Sequence, residues 1–411
     1  MSNTNLTIDM ITKEALRVAH EKAVFVGTIN RSFDDSFGVE GAKSGSTLRI
    51  RKPNQFSRRQ GTAVMNVQDV ETTAITMTVA TQDGVDMRFG AAELALDIDE
   101  FSKLYIQPAM QALVSGIDSD ILQGCTQLVY NQVGTAGTVI GASGDITPLF
   151  NARAKLNQNL APMDKRIVQM DSISMASVVN NTKLIINPAA DSGKAFREGY
   201  YGRIGGADYY ENERTYSHTA GAGIASLSTA ANATITDGGG SGETCTITWS
   251  GSEAMAKGDV FTLPKVYQCH PETKANLGVL QQFVVTAAST GSTATIMPRV
   301  YWSGAKQNVC NATGGACVTG DFDSETVTAV GTASTASKQS LMYHPDAFAF
   351  VSADLPLMAD AAKCVRMNAD GLSLRVWQGS DIINDQLLTR IDILYGYAVI
   401  RPAWACRIIT S

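Results

Sequence analysis

Apolar residues recur at three- and four-residue steps along Leu96 to Gly134, at Phe101, Leu104, Tyr105, Ala109, Ala112, Leu113, Ile117, Ile121, Leu128 and Val129. That period predicts one α-helix of about ten turns, roughly 55 Å long, around which the rest of the chain is organised. Asp97 and Glu100 form a capping box at its start, Leu96 and Phe101 stand where a hydrophobic staple closes, and Gly134 supplies the stop. Pro108 is predicted to kink the helix or to split off its first turns. A second stripe of small residues, Ala112, Ser115, Gly116, Ser119 and Gly124, predicts that another element approaches the helix closely.

Before this helix, Thr7 to Val24 carries Ile8, Ile11, Ala15, Val18 and Ala19 on one face, an amphipathic helix placed to act as an arm docking on a neighbour. Ser46 to Lys52 alternates Thr47, Arg49 and Arg51 against Leu48 and Ile50, a strand. Pro53 to Val70 is polar and without periodicity, longer than loops in compact domains usually run. Thr73 to Ala80 and Val85 to Phe89 alternate around Asp83-Gly84, which predicts a hairpin.

After it, Thr147 to Leu160 reads as a helix with Pro148 in its first turn, Lys165 to Met170 as a strand, and Ile173 to Asn180 as a helix capped by Asp171 or Ser172. Gly199 to His218 is rich in glycine and tyrosine, more like a surface or interface segment than a core. Between Thr219 and Ala256 only Asp237, Glu243 and Glu253 are charged. Alternating stretches follow at Thr244 to Trp249, Val260 to Leu263, Val279 to Val285 and Thr293 to Met297, so Gly221 to Ser337 reads as a separate all-β insert, a small barrel or sandwich. Strands return at Phe348 to Val351, Leu372 to Trp377 and Ile391 to Ile400, the last apolar on both faces and therefore buried.

The chain's 411 residues leave room for two or three domains, and 44% apolar with 18% charged residues is ordinary for a globular protein. A formal net charge of −6 argues against gripping nucleic acid through its phosphates. Seven scattered cysteines fit reduced thiols better than a disulfide framework, there is no secretory signal, and no apolar run is long enough to span a bilayer. The basic residues Lys43, Arg49, Arg51, Lys52, Arg58 and Arg59 form a run free of acidic ones, while Glu93, Asp97, Asp99 and Glu100 cluster at the start of the long helix. In an assembly the two patches would meet across a subunit boundary.

Little points to chemistry. None of the four histidines, His20, His218, His270 and His344, sits in a nucleophile or metalloprotease motif. Cys269-His270 with Cys310 and Cys317 lacks the CxxC spacing of a zinc site. Asp321 to Glu325 begins like a calcium loop but has Thr326 where glycine is needed, and Gly202 to Gly206 lacks the setting of a phosphate loop. No catalytic residue, metal or cofactor is implied.

The order of parts, with Gly379, Asp381, Ile382, Arg390, Ile391, Leu394, Tyr395, Gly396, Arg401-Pro402 and, in the insert, Gly258-Asp259, resembles the major capsid proteins of tailed bacteriophages. It is most similar to the P22-type coat proteins, which carry an inserted β-barrel on an HK97-like α+β fold. The resemblance implies an N-terminal arm over 1–45, an extended loop and hairpin over 46–96, a spine helix over 97–140, an apical domain over 141–220 and 338–380, an insert over 221–337, and peripheral strands over 381–411. It further implies hexamers and pentamers in an icosahedral shell around double-stranded DNA, helped by scaffolding and portal proteins. Such a shell assembles in the host bacterial cytoplasm and ends as the virion capsid. The rival expectation is a carbohydrate- or surface-binding β-module on an α/β enzyme, which native size separates from a shell protein.

Overall fold

The computed structural model describes residues 8–32, 47–56, 58, 61, 67, 73–90, 102–180, 203–222, 234–236, 242–249, 254–289, 292–312, 327–358, 363–369, 371–381 and 386–410. The chain divides into two compact units, one of Met1–Ile50, Ile75–Leu122 and Phe348–Ile400, the other of Arg51–Ala74, Gln123–Ala347 and Arg401–Ser411. Helices and mainly antiparallel sheets are segregated, so the α+β class predicted from the sequence holds.

The first unit is built on the fourteen-residue strand Gln386–Val399. It pairs along one side with Leu372–Asp381 and then Phe348–Ala353, and along the other with Thr81–Gly90. Ile391, Ile393, Leu394 and Tyr395 are all buried, so the strand is apolar on both faces because both are covered. Helix α1 (Ile8–Lys22) buries its predicted face, with Ala15 and Val18 almost fully enclosed, against Lys363–Ala369 and Leu372–Asp381. The stretch expected to dock on a neighbour is thus packed, over 8–32, on its own unit.

Helix α2 (Gln107–Thr126) follows a π-helical turn over Ser102–Ile106. Pro108 stands in the first turn of this helix, where the helical stretch changes from π to α, so the first turns are set apart there as expected. The proposed cap and staple at Leu96, Asp97, Glu100 and Phe101 lie outside the described residues. Ile106, Met110, Leu113, Ile117 and Ile121 make the buried stripe, but Leu104 is exposed and Ala112 faces outward. The small-residue stripe does not receive a close neighbour at Gly116, where an added Cβ would meet nothing within 4 Å.

The helix ends eight residues short of Gly134. Asn131 Nδ2 donates to the carbonyls of Ala403 and Ala405, and Gln132–Gly134 becomes a strand parallel to Ala405–Ile409. Gly134 is needed there, with φ +92°, because a Cβ would lie 2.6 Å from the Ile409 carbonyl oxygen. The glycine read as a helix stop serves a strand crossing, since backbone partners some 270 residues away replace the helical ones.

Asp118, fully buried on α2, accepts hydrogen bonds from the backbone N–H groups of Phe25 and Val26 at 3.1 and 2.9 Å. Asp118→Ala orphans two buried donors, and we expect a loss of about 2 kcal/mol or more, with faster hydrogen exchange at both amides. Unchanged exchange at both would mean that those amides have another acceptor.

The predicted Thr73 to Phe89 hairpin does not form. Ala74–Thr78 pairs with Thr47–Arg51 in a two-stranded sheet, and Thr81–Gly90 pairs with Gln386–Val399 instead. Asp83 and Gly84 lie inside that ladder opposite Ile393 and Asp392, and a Cβ on Gly84 would fall 2.5 Å from Asp392 Oδ1. Close approach, not a turn, calls for this glycine.

In the second unit a seven-stranded sheet runs Gln132–Gly134, Ala405–Ile409, Ala336–Tyr343, Arg166–Met170, Ala207–Glu211, Arg203–Ile204, with Ser217–Thr219 also on Ala336–Tyr343. The helices Thr147–Gln158 and Ser172–Val179 cover it through Leu149, Ala152, Leu156, Met175 and Val178. Asp171 caps the second helix, its carboxylate accepting from the Ser174 N–H. Tyr209 lies in this core, 1% exposed, which overturns the reading of Gly199 to His218 as surface, whereas Tyr210 points out at 39%. Strand alternation separates the two.

A further seven-stranded sheet in that unit runs Val309–Cys310, Val260–Cys269, Asn276–Val285, Thr293–Met297, Cys245–Thr248, Thr234–Thr236, with Thr328–Ala329 also on Val260–Cys269. Its core holds Ile247, Trp249, Phe261, Leu263, Phe283, Ile296 and Val300.

Candidate functional site

The basic strand Thr47–Arg51 alternates as the sequence predicts. Leu48 and Ile50 lean on the core of Met77, Val79, Val351 and Leu394, which turns Thr47, Arg49 and Arg51 outward. Arg58 is exposed as well, and Arg49, Arg51 and Arg58 form no ion pair with a described residue. Lys52 differs: its Nζ lies 2.9 Å from Glu243 Oε2. Glu243 was not among the expected partners, because the two are 191 positions apart. Arg59, Glu93, Asp97, Asp99 and Glu100 lie outside the described residues, and so does the expected meeting of the two charge patches.

The remaining conspicuous charges are turned inward. Asp392 accepts from Arg375 Nη2 at 2.6 Å and from Arg390 Nε at 2.7 Å, which holds the Arg390 guanidinium above its usual pKa. The Tyr395 hydroxyl donates to Asp83, and burial pushes its pKa well up. In the second unit His218 Nε2 is 2.9 Å from Asp259 Oδ1, Asp259 also accepts from the Gly221 and Ala256 N–H groups, and Tyr216 bridges His218 to Gln127. Arg407, fully enclosed, donates to the Gly258 carbonyl, and burial lowers its pKa to about 10. The sequence singled out Arg390, Tyr395, Asp259 and His218 without these partners, and gave no role to Arg375, Asp392 or Arg407. Their one signal was a charged or polar residue inside an otherwise apolar strand, as at Asp392 and Arg407.

The His–Asp–Tyr row is saturated by its own bonds and presents no nucleophile. The hollow lined by Ile146, Leu149, Phe150, Arg153, Gly205, Tyr209 and Met342 has no acid–base pair in its lining. Among the described residues no group of three histidine, cysteine or carboxylate side chains is placed to hold a metal, and no helix is long and apolar enough to cross a membrane. Arg49, Arg51 and Arg58 are the exposed basic residues of this stretch among the described residues.

The family described as "P22 coat protein - gene protein 5" matches residues 41–407, and the chain belongs to that family. It is therefore a capsid-shell protein, a component of the virion whose copies assemble into an oligomeric shell. No curated protein matches the sequence. Among solved structures, one of Mycobacterium phage Che8 is similar at 11% identity and a TM-score of 0.47, covering 94% of this chain and 90% of that one. The capsid structure of the Cyanophage P-SCSP1u is similar at 12% identity and 0.44, covering 90% and 84%. The asymmetric unit of the bacteriophage PhiM1 mature capsid follows at 10% and 0.44, covering 90% and 82%.

Proposed function

We propose that this chain is the major capsid protein of a tailed phage, with an HK97-like fold. Hexamers and pentamers of it close into an icosahedral shell that encloses double-stranded DNA without reading its sequence. The match to the coat-protein family over residues 41–407 carries this reading. The order of described elements, from N-terminal helix through basic strand, long helix and all-β region back to the long strand, supports it. The net charge of −6 suits a wall that does not hold the genome tightly. Scaffolding and portal proteins serve as assembly partners in the host cytoplasm, and no bond is made or broken by the subunit.

In this reading the segments 46–96 and 221–337 are the extended loop and the insert, and Arg49, Arg51, Arg58 and Arg59 face a neighbour's carboxylates, with Glu93, Asp97, Asp99 and Glu100 as the partners. One exposed ion pair is worth only about 0 to 1 kcal/mol, but a shell repeats it in every copy. Changing Arg58→Glu and Arg59→Glu together is expected to leave the monomer folded and to cut the yield of closed particles by on the order of tenfold or to misdirect their shape. Electron microscopy of the assembly reaction reads both. Normal yield and normal shape would remove these arginines from the contact.

A further inference from the structure

The two ends of the extended-loop segment are tied to one another and to the all-β sheet. The Lys52 N–H donates to the Thr73 carbonyl at 2.8 Å, which closes the base of the loop. Lys52 Nζ then reaches Glu243, with the two side chains 18% and 32% exposed, and Lys306 Nζ reaches Thr73 Oγ1 at 3.5 Å. Both anchors come from rigid places. The Arg299 N–H donates to the Glu243 carbonyl at 2.8 Å. Asn308 closes the turn that carries Lys306, donating through Nδ2 to the Arg299 carbonyl and accepting at Oδ1 from the Tyr301 N–H. The Tyr301 ring lies between Arg299 and Lys306, whose charged groups stand 5.4 and 5.8 Å from its centroid.

A flexible loop fixed at one point can swing about it. Here both ends of the base, Lys52 and Thr73, are held, by two separate turns that flank strands of the β-sheet. We propose that the all-β region holds the base of the extended loop for assembly, with Lys52, Glu243 and Lys306 as positioning residues. The inference rests on the reading of 46–96 as a contact loop. Glu243 acts on assembly through the loop and need not touch a neighbour.

The test uses the unassembled full-length chain and follows hydrogen exchange at the Lys52 amide. Glu243→Gln keeps the side chain's shape and removes its charge. It is expected to speed that exchange about fivefold, while the amides of Ile247 and Phe283 within the sheet are unchanged. Lys306→Ala, which leaves the ion pair intact, is expected to speed it as well. Lys52→Glu combined with Glu243→Lys is expected to bring the rate back toward that of the unaltered chain, which a purely structural role would not do. Unchanged exchange in Glu243→Gln, or a reversed pair as fast as Lys52→Glu alone, overturns the proposal. Assembly of Glu243→Gln protein is then scored by particle size. Faster exchange with normal shells would leave the clamp standing and sink the contact role of the loop, so the two failures are distinguishable.

Discussion

Asp392→Ala is expected to cost the first unit about 3–5 kcal/mol, because it leaves the Arg375 guanidinium enclosed with no counter-charge. Asp392 is 0% and Arg375 4% exposed, and Arg375 Nη2 donates to the carboxylate at 2.6 Å. The geometry around the pair leaves little room for relaxation. Gly84 is pressed against the carboxylate from the neighbouring strand, and among the described residues the guanidinium's other acceptor is the Pro356 carbonyl at 2.9 Å. Taking both charges away is a different matter. Asp392→Leu combined with Arg375→Met is expected to recover most of the loss, since apolar side chains of similar volume suit such a position. Hydrogen exchange at Val376 and Ile391, which face each other across the ladder, is the measurement suited to a chain of two units, where one global midpoint is poorly defined. A loss below about 1 kcal/mol would mean that water reaches Arg375 and that the pair is not a true interior charge.

Phe261→Ala should have a comparable effect in the second unit. The Phe261 ring is fully buried and stacks on Phe283 at 5.7 Å between centroids, inside a core that also holds Leu263, Ile247 and Ile296. Truncating a buried phenylalanine costs about 3–5 kcal/mol, the lost transfer energy plus that of the cavity left behind. If 221–337 folds as an insert in its own right, exchange will rise in Cys245–Thr248, Asn276–Val285 and Thr293–Met297 while Arg166–Met170 and Ala336–Tyr343 keep their protection. An equal rise in both sheets would show one cooperative body and overturn the separate insert. The variant should also loosen the base of the extended loop, because Glu243 and Lys306 are carried by the sheet that melts.

Legibility followed the range of the interactions. The buried face of α1, the helical stretch Thr147–Gln158, the Asp171 cap and the four alternating stretches after Thr244 were readable because each depends on neighbours within a few residues. The outward turn of Arg49 and Arg51 was readable for the same reason. Glu243 as the partner of Lys52 was not, since a lone acid in a stretch rich in glycine and serine gives no sign of which distant strand lies beside it.

Gly84 and Gly134 show where local reading ends. Asp-Gly between alternating stretches is the pattern of a tight turn, and a glycine after a long apolar stripe is the pattern of a helix stop. Both assignments obey local rules, and both lost to backbone partners from the far end of the chain, Asp392 for one and Ile409 for the other. The sequence by itself determined which segments are helical, which alternate, where charge is scarce, and the resemblance to a coat protein, because periodicity and composition are properties of short windows. Only the tertiary structure decided which strands pair, where α2 stops, that the first helix packs on its own unit, and that the base of the loop is clamped, because hydrogen-bonded ladders and ion pairs reward closeness in space whatever the distance along the chain.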